Sequence, residues 1–429
     1  MHPISLDPID FGWREVPIKH IASCNDDLIS EDQDASSLIR YVDISSVDYG
    51  AGIVACEELA FGAAPSRARR LAQVGDVLVS TVRTYLKAIA PVTEEHADCV
   101  FSTGFAILRA KAQHVCPAYL RWLLLDENFI QRVQAHSEGL SYPAINASSL
   151  IDLKVRIPDR QAQIAIAAFL DVETRQIDAL VARKKHFIAL LSEKEKVEIS
   201  NLVRLGINPE ADYVESGCDW RGRVPRHWTR SRLSANFRVT KRQGLNDLTV
   251  LSVYRDYGVI PKLSRDDNAN KTPEDLSSYQ LVEVGDLVVN KMKAWQGSMG
   301  ISEHHGFTSP DYVVLKPLGE NSSRYMHHYL RAQPMPWMYR CISNGIRENQ
   351  WRMEPDKFLA LPVYLPPLPE QEAIANEADR RVARIRALVA ATDHSIELLL
   401  ERRSALIAAA GTGKIDVRGR TNQNMKAAA

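Results

Sequence analysis

Gly411-Thr412-Gly413-Lys414 is the segment of the chain that is most similar to a nucleotide-binding motif. In a phosphate-binding loop, backbone N–H groups and a lysine surround the phosphates of a nucleotide. Here Ala408 stands where that loop needs glycine, and Ile415 stands where it needs serine or threonine. The segment also follows a predicted helix, whereas a phosphate-binding loop precedes one. We therefore expect no nucleotide site at this segment.

Two other groupings suggest catalysis or metal binding only weakly. Ser309-Pro310-Asp311-Tyr312 is close to the Asn/Asp-Pro-Pro-Tyr motif of amino-methyltransferases, but the second proline is missing and no glycine-rich cofactor loop follows a strand. His304-His305 and His327-His328 are adjacent pairs, and neighbouring residues do not share a helix face. Packed or solvated histidines are the expected alternative. The sequence therefore predicts no catalytic residue and no metal site.

Lysine and arginine side chains in polar segments are the remaining candidates for function. Lysine and arginine side chains that contact phosphates would provide affinity for nucleic acid. Side chains that contact base edges in the major groove would provide sequence specificity. For each residue a solvated position or a salt bridge is the alternative. Tyr85 and Trp295 lie among them, and Trp295 also fits a core position. The candidates are Arg67, Arg69, Arg70, Arg83, Lys87, Lys241, Arg242, Lys262, Lys291, Lys293 and Arg347.

The composition is that of a globular protein without charge bias. The 429 residues are 45% hydrophobic, and 53 Lys and Arg balance 53 Asp and Glu. Nucleic-acid binders usually carry a basic excess, so binding would need a basic face offset by acidic surface elsewhere. Six dispersed cysteines favour reduced thiols. No signal pattern and no stretch of roughly 18 apolar residues is present, so we expect a cytoplasmic protein without a membrane span.

The chain contains an internal duplication. The segment that begins at Leu361 repeats the one that begins at Leu153, 208 residues earlier, without a gap over about fifty residues. Upstream matches occur at offsets of 206, 208 and 210, which indicates short insertions and deletions in loops. Matched pairs include Gln163 with Gln371, Asp171 with Asp379, Asp48-Tyr49-Gly50 with Asp256-Tyr257-Gly258, and Val74–Val79 with Val284–Val289.

Each copy ends in a long amphipathic helix. The first is predicted from just after Pro158 to about Arg204 and the second from near Pro369 to about Ala410, since proline is favoured at helix starts. Apolar residues recur at coiled-coil spacing, although Lys184 and Thr392 interrupt it. We expect the helices to pack against each other; packing of each on its own domain is the alternative. The predicted packing residues are Leu170, Ile177, Leu180, Phe187, Leu191, Ile385, Leu388 and Leu399.

The segments before the helices have mixed patterns. Asp76–Ser80 and Asp286–Val289 are short apolar runs typical of buried strands, whereas Pro117–Leu125 and Ser323–Ala332 favour helices. The predicted fold class is therefore α+β. It comprises two similar globular domains separated by a pair of long antiparallel coiled-coil helices, with a pseudo-two-fold internal repeat.

The length of the helices suggests a spacer. A helix of about 45 residues is roughly 68 Å long, which is about two turns of B-DNA at roughly 34 Å each. If the second helix returns toward the first domain, the pair would hold two unlike domains on separate patches of one duplex. Such a protein would recognise an interrupted, asymmetric site and not a palindrome.

Several segments together resemble the specificity subunits of type I restriction-modification systems. The resemblance extends over nearly the whole chain, and its specificity comes from the combination of segments. They are Leu78–Arg83, Ser102–Phe105, Gly206–Pro209, Ser216–Gly222, Pro225–Trp228, Lys291–Gly297, Ser309–Tyr312 and Thr412–Arg418.

The resemblance implies a non-catalytic subunit that binds double-stranded DNA with two target recognition domains. Two modification subunits would bind it through the helices and methylate adenine with S-adenosylmethionine, and restriction subunits would add ATP-driven translocation and cleavage. S-adenosylmethionine, ATP and Mg are expected on those partners and no cofactor in this chain. The implied divisions are target recognition domain 1 (1–157), a central spacer helix (158–205), target recognition domain 2 (206–365), a distal spacer helix (366–412) and a tail (413–429).

Two other classes of function remain open from the residues alone. A self-contained DNA methyltransferase or nuclease would bind its own cofactor. A structural scaffold would bind no DNA, or would interact without the salt dependence that phosphate contacts produce.

Overall fold

The duplication of the sequence is also a duplication of structure. The computed structural model describes residues 12–139, 142–218, 221–243, 248–265, 272, 275–345 and 351–417. By its internal contacts it divides into unit 1, Met1–Lys184 with His394–Ala429, and unit 2, Lys185–Asp393. Each unit therefore contains one globular domain and a part of both long helices. The candidate Arg347 lies outside the described residues.

The globular part of unit 1 is built from short strands and short helices, and it continues into a long helix. The strands are β1 (Arg14–Pro17), β2 (Ala22–Cys24), β3 (Asp27–Leu28), β4 (Leu38–Val42), β5 (Val47–Asp48), β6 (Gly52–Ile53), β7 (Glu57–Ala60), β8 (Ala68–Leu71), β9 (Val77–Ser80), β10 (Ile89–Pro91), β11 (Val100–Ser102), β12 (Phe105–Ala110) and β13 (Lys154–Ile157). The helices are α1 (Ile18–Ile21), α2 (Pro117–Leu124), α3 (Glu127–Ala135), α4 (Ala147–Asp152) and α5 (Arg160–Leu205). Short 3₁₀ turns cover Ile44–Ser46, Phe61–Ala63, Thr84–Leu86 and Glu94–His96.

Unit 2 is likewise built from short strands and short helices and continues into a long helix. Its strands are β14 (Tyr213–Glu215), β15 (Arg223–Pro225), β16 (Thr229–Arg232), β17 (Phe237–Thr240), β18 (Leu251–Tyr254), β19 (Gly258–Pro261), β20 (Gln280–Val282), β21 (Leu287–Asn290), β22 (Met299–Ile301), β23 (Gly306–Thr308), β24 (Tyr312–Pro317), β25 (Ser343–Asn344), β26 (Arg352–Met353) and β27 (Pro362–Leu365). Its helices are α6 (Leu233–Asn236), α7 (Ser323–Arg331), α8 (Met335–Cys341), α9 (Pro355–Leu359) and α10 (Leu368–Gly411), with 3₁₀ turns at Lys262–Ser264 and Ala294–Gln296.

The central sheets of the two units have equivalent strand orders. In unit 1 the order is β10-β9-β12-β2, and in unit 2 it is β22-β21-β24-β17, with antiparallel pairing throughout. The matched strands β9 and β21 are buried along their whole length because both faces of the sheet are covered. The predicted α+β class, these two strands and the helices α2 and α7 are confirmed.

A buried aspartate precedes each of these matched strands. The Asp76 carboxylate accepts the Gln73 N–H at 2.8 Å, and the Asp286 carboxylate accepts the Glu283 N–H at 2.9 Å. An arginine from another strand region binds each carboxylate: Arg109 in unit 1 and Arg242 in unit 2. Burial nevertheless raises the pKa of Asp286. These charged turns fix the start of the central strand, because a buried carboxylate is tolerated only when it is paired.

A glutamine at the start of each long helix fastens the globular domain to it. The Gln163 amide accepts the Cys116 N–H at 2.8 Å and donates to the Pro158 carbonyl at 2.9 Å. Gln371 accepts the Ser322 N–H at 2.9 Å and donates to the Pro366 carbonyl at 2.9 Å. Both amides are almost completely buried. The equivalence of these two glutamines, predicted from the 208-residue offset, is thus a structural equivalence.

The long helices α5 and α10 pair antiparallel within each unit. In unit 1 Arg403 Nε donates to Asp178 Oδ1 at 3.0 Å, and Leu170 shares a core with Ala410 farther along α10. In unit 2 Glu198 lies 3.8 Å from Arg381, and Val203 shares a core with Ala375. The bounds predicted for both helices agree with the structure within two residues.

The predicted packing residues divide into buried and exposed ones. Leu170, Ile177, Leu191 and Ile385 are buried, as predicted, and Leu399 is half-buried. The prediction is wrong for Leu180, Phe187 and Leu388, which are 43–45% exposed. The neighbouring residues Val181, Ile188 and Val389 lie on the packed face in their place. Thr174 and Thr392 occupy buried positions in the same seam and satisfy their hydroxyls on the helix backbone.

Within the described residues, each helix is too short or too polar to span a bilayer.

Candidate nucleic-acid interface

In unit 1 the loop that follows β9 lies at the edge of the central sheet where β12 begins. Thr81 connects the two, since both its N–H and its Oγ1 donate to the Gly104 carbonyl, at 2.8 and 2.9 Å. The Thr81 carbonyl in turn accepts the Ile145 N–H at 2.8 Å. We call residues 81–88 the first loop. It is held at its base by strands on both sides.

The backbone of the first loop is unusual. Arg83 and Lys87 both adopt the left-handed conformation, with φ of 51°, on either side of the Thr84–Leu86 turn. Residues other than glycine are uncommon there, and such positions cluster at functional sites. Thr84 is buried and its hydroxyl lies 2.9 Å from Ser137 Oγ. Thr84 therefore anchors the turn to the domain, while the side chains of Arg83, Tyr85 and Leu86 are exposed to solvent.

The five predicted cations of unit 1 differ in their partners. Arg67 binds Asp43 at 2.9 Å and the Tyr41 hydroxyl at 3.1 Å. Lys87 binds Glu127 at 2.7 Å. Arg69 lies over the Phe61 ring at 5.3 Å, and burial lowers the pKa of Arg70. Arg83 is exposed, and its guanidinium lies 5.1 Å from the centroid of the Tyr142 ring.

In unit 2 the matching edge of the sheet carries a group of cations. The strand register places the ends of β17 and β21 opposite the start of β24, so Lys241 and Lys291 follow strands at one edge. Lys291 Nζ donates to the Pro310 carbonyl at 2.9 Å. Burial, together with Arg352 and Lys241, lowers the pKa of Lys291, although Asp311 opposes the shift. Burial is the largest of these causes, and the charges of Arg352 and Lys241 act in the same direction.

Two tryptophans lie beside this cluster. The rings of Trp295 and Trp351 are 5.5 Å apart, and the Arg340 guanidinium lies 4.8 Å from the centroid of Trp351. Trp295 Nε1 donates to the Met292 carbonyl at 3.1 Å, so this ring is partly committed to the fold. Lys293, on the same loop, is exposed. Exposed cations beside aromatic rings are a common arrangement for contacts with nucleic acids.

Two of the predicted cations of unit 2 have other partners. Arg242 binds both Asp286 and Glu283 in the charged turn before β21, so the structure assigns its guanidinium to the fold and not to a free surface. Lys262 Nζ donates to the Thr272 hydroxyl at 2.8 Å. Lys241, Lys291 and Lys293 are the candidates of unit 2 that follow β17 and β21 at this edge of the sheet.

The motifs considered for other chemistry serve the fold. Gly411-Thr412-Gly413-Lys414 closes α10: the Lys414 N–H donates to the Ala409 carbonyl at 2.9 Å, and Gly413 has φ of 73°, as in common helix C-caps. Pro310 accepts a hydrogen bond from Lys291 at the sheet edge. Within the described residues, no three His, Cys, Asp or Glu side chains converge as metal ligands would.

The pair His327-His328 lies on α7 against the long helices of unit 2. His328 Nε2 lies 2.7 Å from Asp379 Oδ1, and His327 Nε2 lies 2.5 Å from the Arg331 guanidinium. Burial, Arg331 and His328 lower the pKa of His327 to about 3. His327 is therefore neutral at physiological pH and accepts a hydrogen bond from Arg331.

We expect unit 2 to lose stability as the pH falls below about 6.5, the usual pKa of an unfolded histidine. Between that pH and about 3 the unfolded chain binds a proton at His327 that the folded chain does not bind. The thermal midpoint should therefore fall more between pH 7.5 and 5.5 in the wild type than in His327→Gln. The exposed His305→Gln is the control and should behave like the wild type. Equal falls in all three proteins would contradict this prediction.

Sequence reasoning did not identify several side chains at these edges. Tyr142, Arg340, Trp351 and Arg352 come from segments distant along the chain from the loops that follow β9 and β21. The only sequence signal was the proximity of an aromatic and a basic residue, as in Trp351-Arg352. Proximity of this kind is too frequent to select these positions without a fold.

Comparison with known proteins identifies relatives of this fold. No family model matches the chain. The specificity subunit of the type I restriction enzyme HindI from Haemophilus influenzae is 29% identical over 112 residues, which is 26% of this chain and 24% of that protein. The match thus spans about a quarter of the length of the curated relative.

Solved structures match over nearly the full length. A chain from a structure of the type I restriction-modification system, solved to explain complex assembly and conformational transition, has a TM-score of 0.64 and 22% identity, with 96% of this chain and 100% of that chain covered. The HsdS subunit from Thermoanaerobacter tengcongensis gives a TM-score of 0.46 at 23% identity, with coverage of 94% and 97%. The chain therefore has the fold of a subunit of the type I restriction-modification system, and the predicted resemblance to the specificity subunits is confirmed.

Proposed function

We propose that this chain is the specificity subunit of a type I restriction-modification complex and recognises a two-part, asymmetric DNA sequence. One observation carries the proposal. The same edge of the same four-stranded sheet carries exposed cations and aromatic rings in both units, but the residues differ: Arg83 and Tyr85 in one, Lys293 and Trp295 in the other. One scaffold with two different sets of side chains suits the recognition of two different base sequences.

The net charge of zero does not oppose DNA binding in this arrangement. Charges of both signs are taken up in pairs, such as Asp76 with Arg109 and Asp178 with Arg403, so the total does not give the charge at any one edge of a sheet. At the proposed edge of unit 2, Lys241, Lys291 and Arg352 face one nearby carboxylate, that of Asp311. Local charge and not total charge determines phosphate binding.

The exposed apolar side chains of the long helices support a role in assembly. Phe187, Leu190 and Val197 in unit 2 are 45–59% exposed, and so are Leu180 and Leu398 of unit 1 to similar degrees. Exposed apolar residues that recur along a helix favour a helical partner. In the proposal two modification subunits bind these helices, and restriction subunits complete the complex. S-adenosylmethionine, ATP and Mg then belong to those partners, and this chain is a non-catalytic cytoplasmic protein.

Long-read methylome sequencing of a host that expresses the complete system tests the proposal. We expect methylated adenine in an interrupted, non-palindromic motif when this chain is present, and no such motif when its gene is deleted. A pull-down of the modification subunit by the full chain accompanies the sequencing. The proposal fails if the motif is independent of this chain. It also fails if the purified chain alone binds S-adenosylmethionine and methylates DNA, because the chain would then be a self-contained methyltransferase.

A further inference from the structure

We propose that Arg83, supported by Tyr85 and Tyr142, is the base-recognition element of unit 1, and that it contacts the O6 and N7 edge of a guanine in the major groove. The inference rests on the proposed function and makes it specific. It separates one cation from the four other candidates of the same unit.

The Arg83 guanidinium stacks on an aromatic ring. Among the described residues no carboxylate binds it, and the contact that it makes is with the Tyr142 ring. Two other candidate cations of unit 1, Arg67 and Lys87, each bind a carboxylate oxygen within 3 Å. A stacked guanidinium keeps its planar set of donors free and oriented. That set matches the two acceptors of guanine, the most common specific contact of arginine with DNA.

The first loop is held in one conformation by its own contacts. Left-handed conformations at Arg83 and Lys87 surround a turn whose central Thr84 is buried, and Lys87 Nζ is fastened to Glu127. The backbone therefore projects the tip without the freedom of an ordinary loop. The backbone of the first loop then loses little conformational entropy when DNA binds. This low cost favours a role of the loop in DNA recognition.

Two tyrosine rings of unit 1, Tyr85 and Tyr142, are exposed. Tyr85 is 52% exposed and Tyr142 is 66% exposed. Exposed aromatic rings beside an arginine are available to stack on a nucleic-acid partner. Tyr142 contacts the Arg83 guanidinium, and Tyr85 follows Arg83 by two residues in the first loop.

The matched loop of unit 2 gives an internal comparison. At an offset of 210 residues Lys293, Trp295 and Gly297 stand where unit 1 has Arg83, Tyr85 and Lys87. Gly297 adopts the left-handed conformation with φ of 85°, in which glycine suffers no steric penalty. Unit 1 has a left-handed lysine at that position. The loops differ at the first position in backbone as well as in side chain, because Arg83 is left-handed with φ of 51° whereas Lys293 has φ of −127°.

The test uses the complete system with the wild-type chain, Arg83→Gln, Arg83→Lys and a control, Lys19→Gln. Lys19 forms an exposed ion pair with Asp152, and its carbonyl accepts a hydrogen bond from Lys111, just beyond the far end of β12. We expect the wild type and the control to methylate one two-part motif. Arg83→Gln should lose discrimination for guanine at one position of one part, by roughly 10- to 100-fold against the other bases. The second part of the motif should be unchanged.

The lysine variant distinguishes a base contact from a phosphate contact. Lysine keeps the charge but not the planar pair of donors. If Arg83→Lys binds DNA but has the relaxed motif, a base contact is supported. If Arg83→Lys restores the motif fully, or if Arg83→Gln leaves the motif unchanged, the inference is overturned while the proposed function stands. If a variant methylates nothing, binding of its purified complex to duplexes with each base at each position of that part gives the same comparison. If the wild type shows no two-part motif, the proposed function itself fails, and the inference with it.

Discussion

Arg109→Leu is expected to lower the free energy of unfolding by about 3–5 kcal/mol, because it leaves the buried Asp76 carboxylate without its cation. Arg109 donates to Asp76 from Nε at 3.0 Å and from Nη2 at 2.8 Å, and Nη2 also lies 2.8 Å from Asp27. The Asp76 side chain is 3% exposed, so water cannot replace the guanidinium. The remaining donor within the turn is the Gln73 N–H. Urea unfolding, followed by a probe within unit 1, measures the change.

Two further variants show whether burial is the cause. Lys19→Leu removes one member of an exposed ion pair and should cost little, since surface pairs contribute about 0–1 kcal/mol. Arg242→Leu removes the matching cation of unit 2 from Asp286 and should destabilise that unit strongly. A loss at Arg109 as small as that at Lys19 would show that the Asp76 carboxylate does not depend on its pairing.

The repeat and the long helices could be predicted from the sequence because they depend on local patterns. Gln163 and Gln371 align at a fixed offset. In the structure each accepts one backbone N–H and donates to one proline carbonyl, at equivalent positions of the two copies. Strand β9 was recognisable as an apolar run between turn residues, and α5 as a long amphipathic pattern. Patterns of this kind remain visible without knowledge of what packs against them.

In the charged turns before β9 and β21, the aspartates could be matched from the sequence, but their arginine partners could not. Asp76 and Asp286 belong to matched segments, but their arginines do not correspond: Arg109 lies in β12, and Arg242 follows β17. A search at a fixed offset cannot pair residues that reach the same place from different strands. For the same reason Arg242 was predicted as a DNA contact, although it is a partner of the fold. The tertiary structure, and not the local sequence, decides which arginines are free.

The predicted seam of α5 is correct at Leu170, Ile177 and Leu191 but wrong at Leu180 and Phe187, because α5 carries two apolar stripes. Leu180 and Val181 are adjacent, as are Phe187 and Ile188, and seven-residue spacing fits either series. Of these pairs, Leu180 and Phe187 are the residues predicted to pack between the two helices. In the structure the smaller, β-branched series is packed, and the larger residues face outward. Spacing alone cannot identify which of two stripes faces the partner helix within the chain.

Two neighbouring positions in unit 1, Val181 and Leu180, test which of the two stripes packs against the partner helix. Val181 is 8% exposed and Leu180 is 43% exposed. Val181→Asp places an unpaired carboxylate in the packed seam, and we expect a loss of about 3–5 kcal/mol in the free energy of unfolding. Leu180→Asp should change the free energy of unfolding by less than about 1 kcal/mol, because its carboxylate remains solvated. Urea unfolding of the two full-length variants measures the difference.

The same pair of variants separates folding from assembly. If the outward stripe binds modification subunits as proposed, Leu180→Asp should keep the wild-type stability and yet retain less modification subunit in a pull-down. A carboxylate at that position would have to be desolvated at an apolar interface, which weakens binding. Equal destabilisation by both substitutions would contradict the assignment of the seam to Val181. Undiminished binding by Leu180→Asp would exclude this side chain from the proposed interface, because the folded helix would then bind its partner without it.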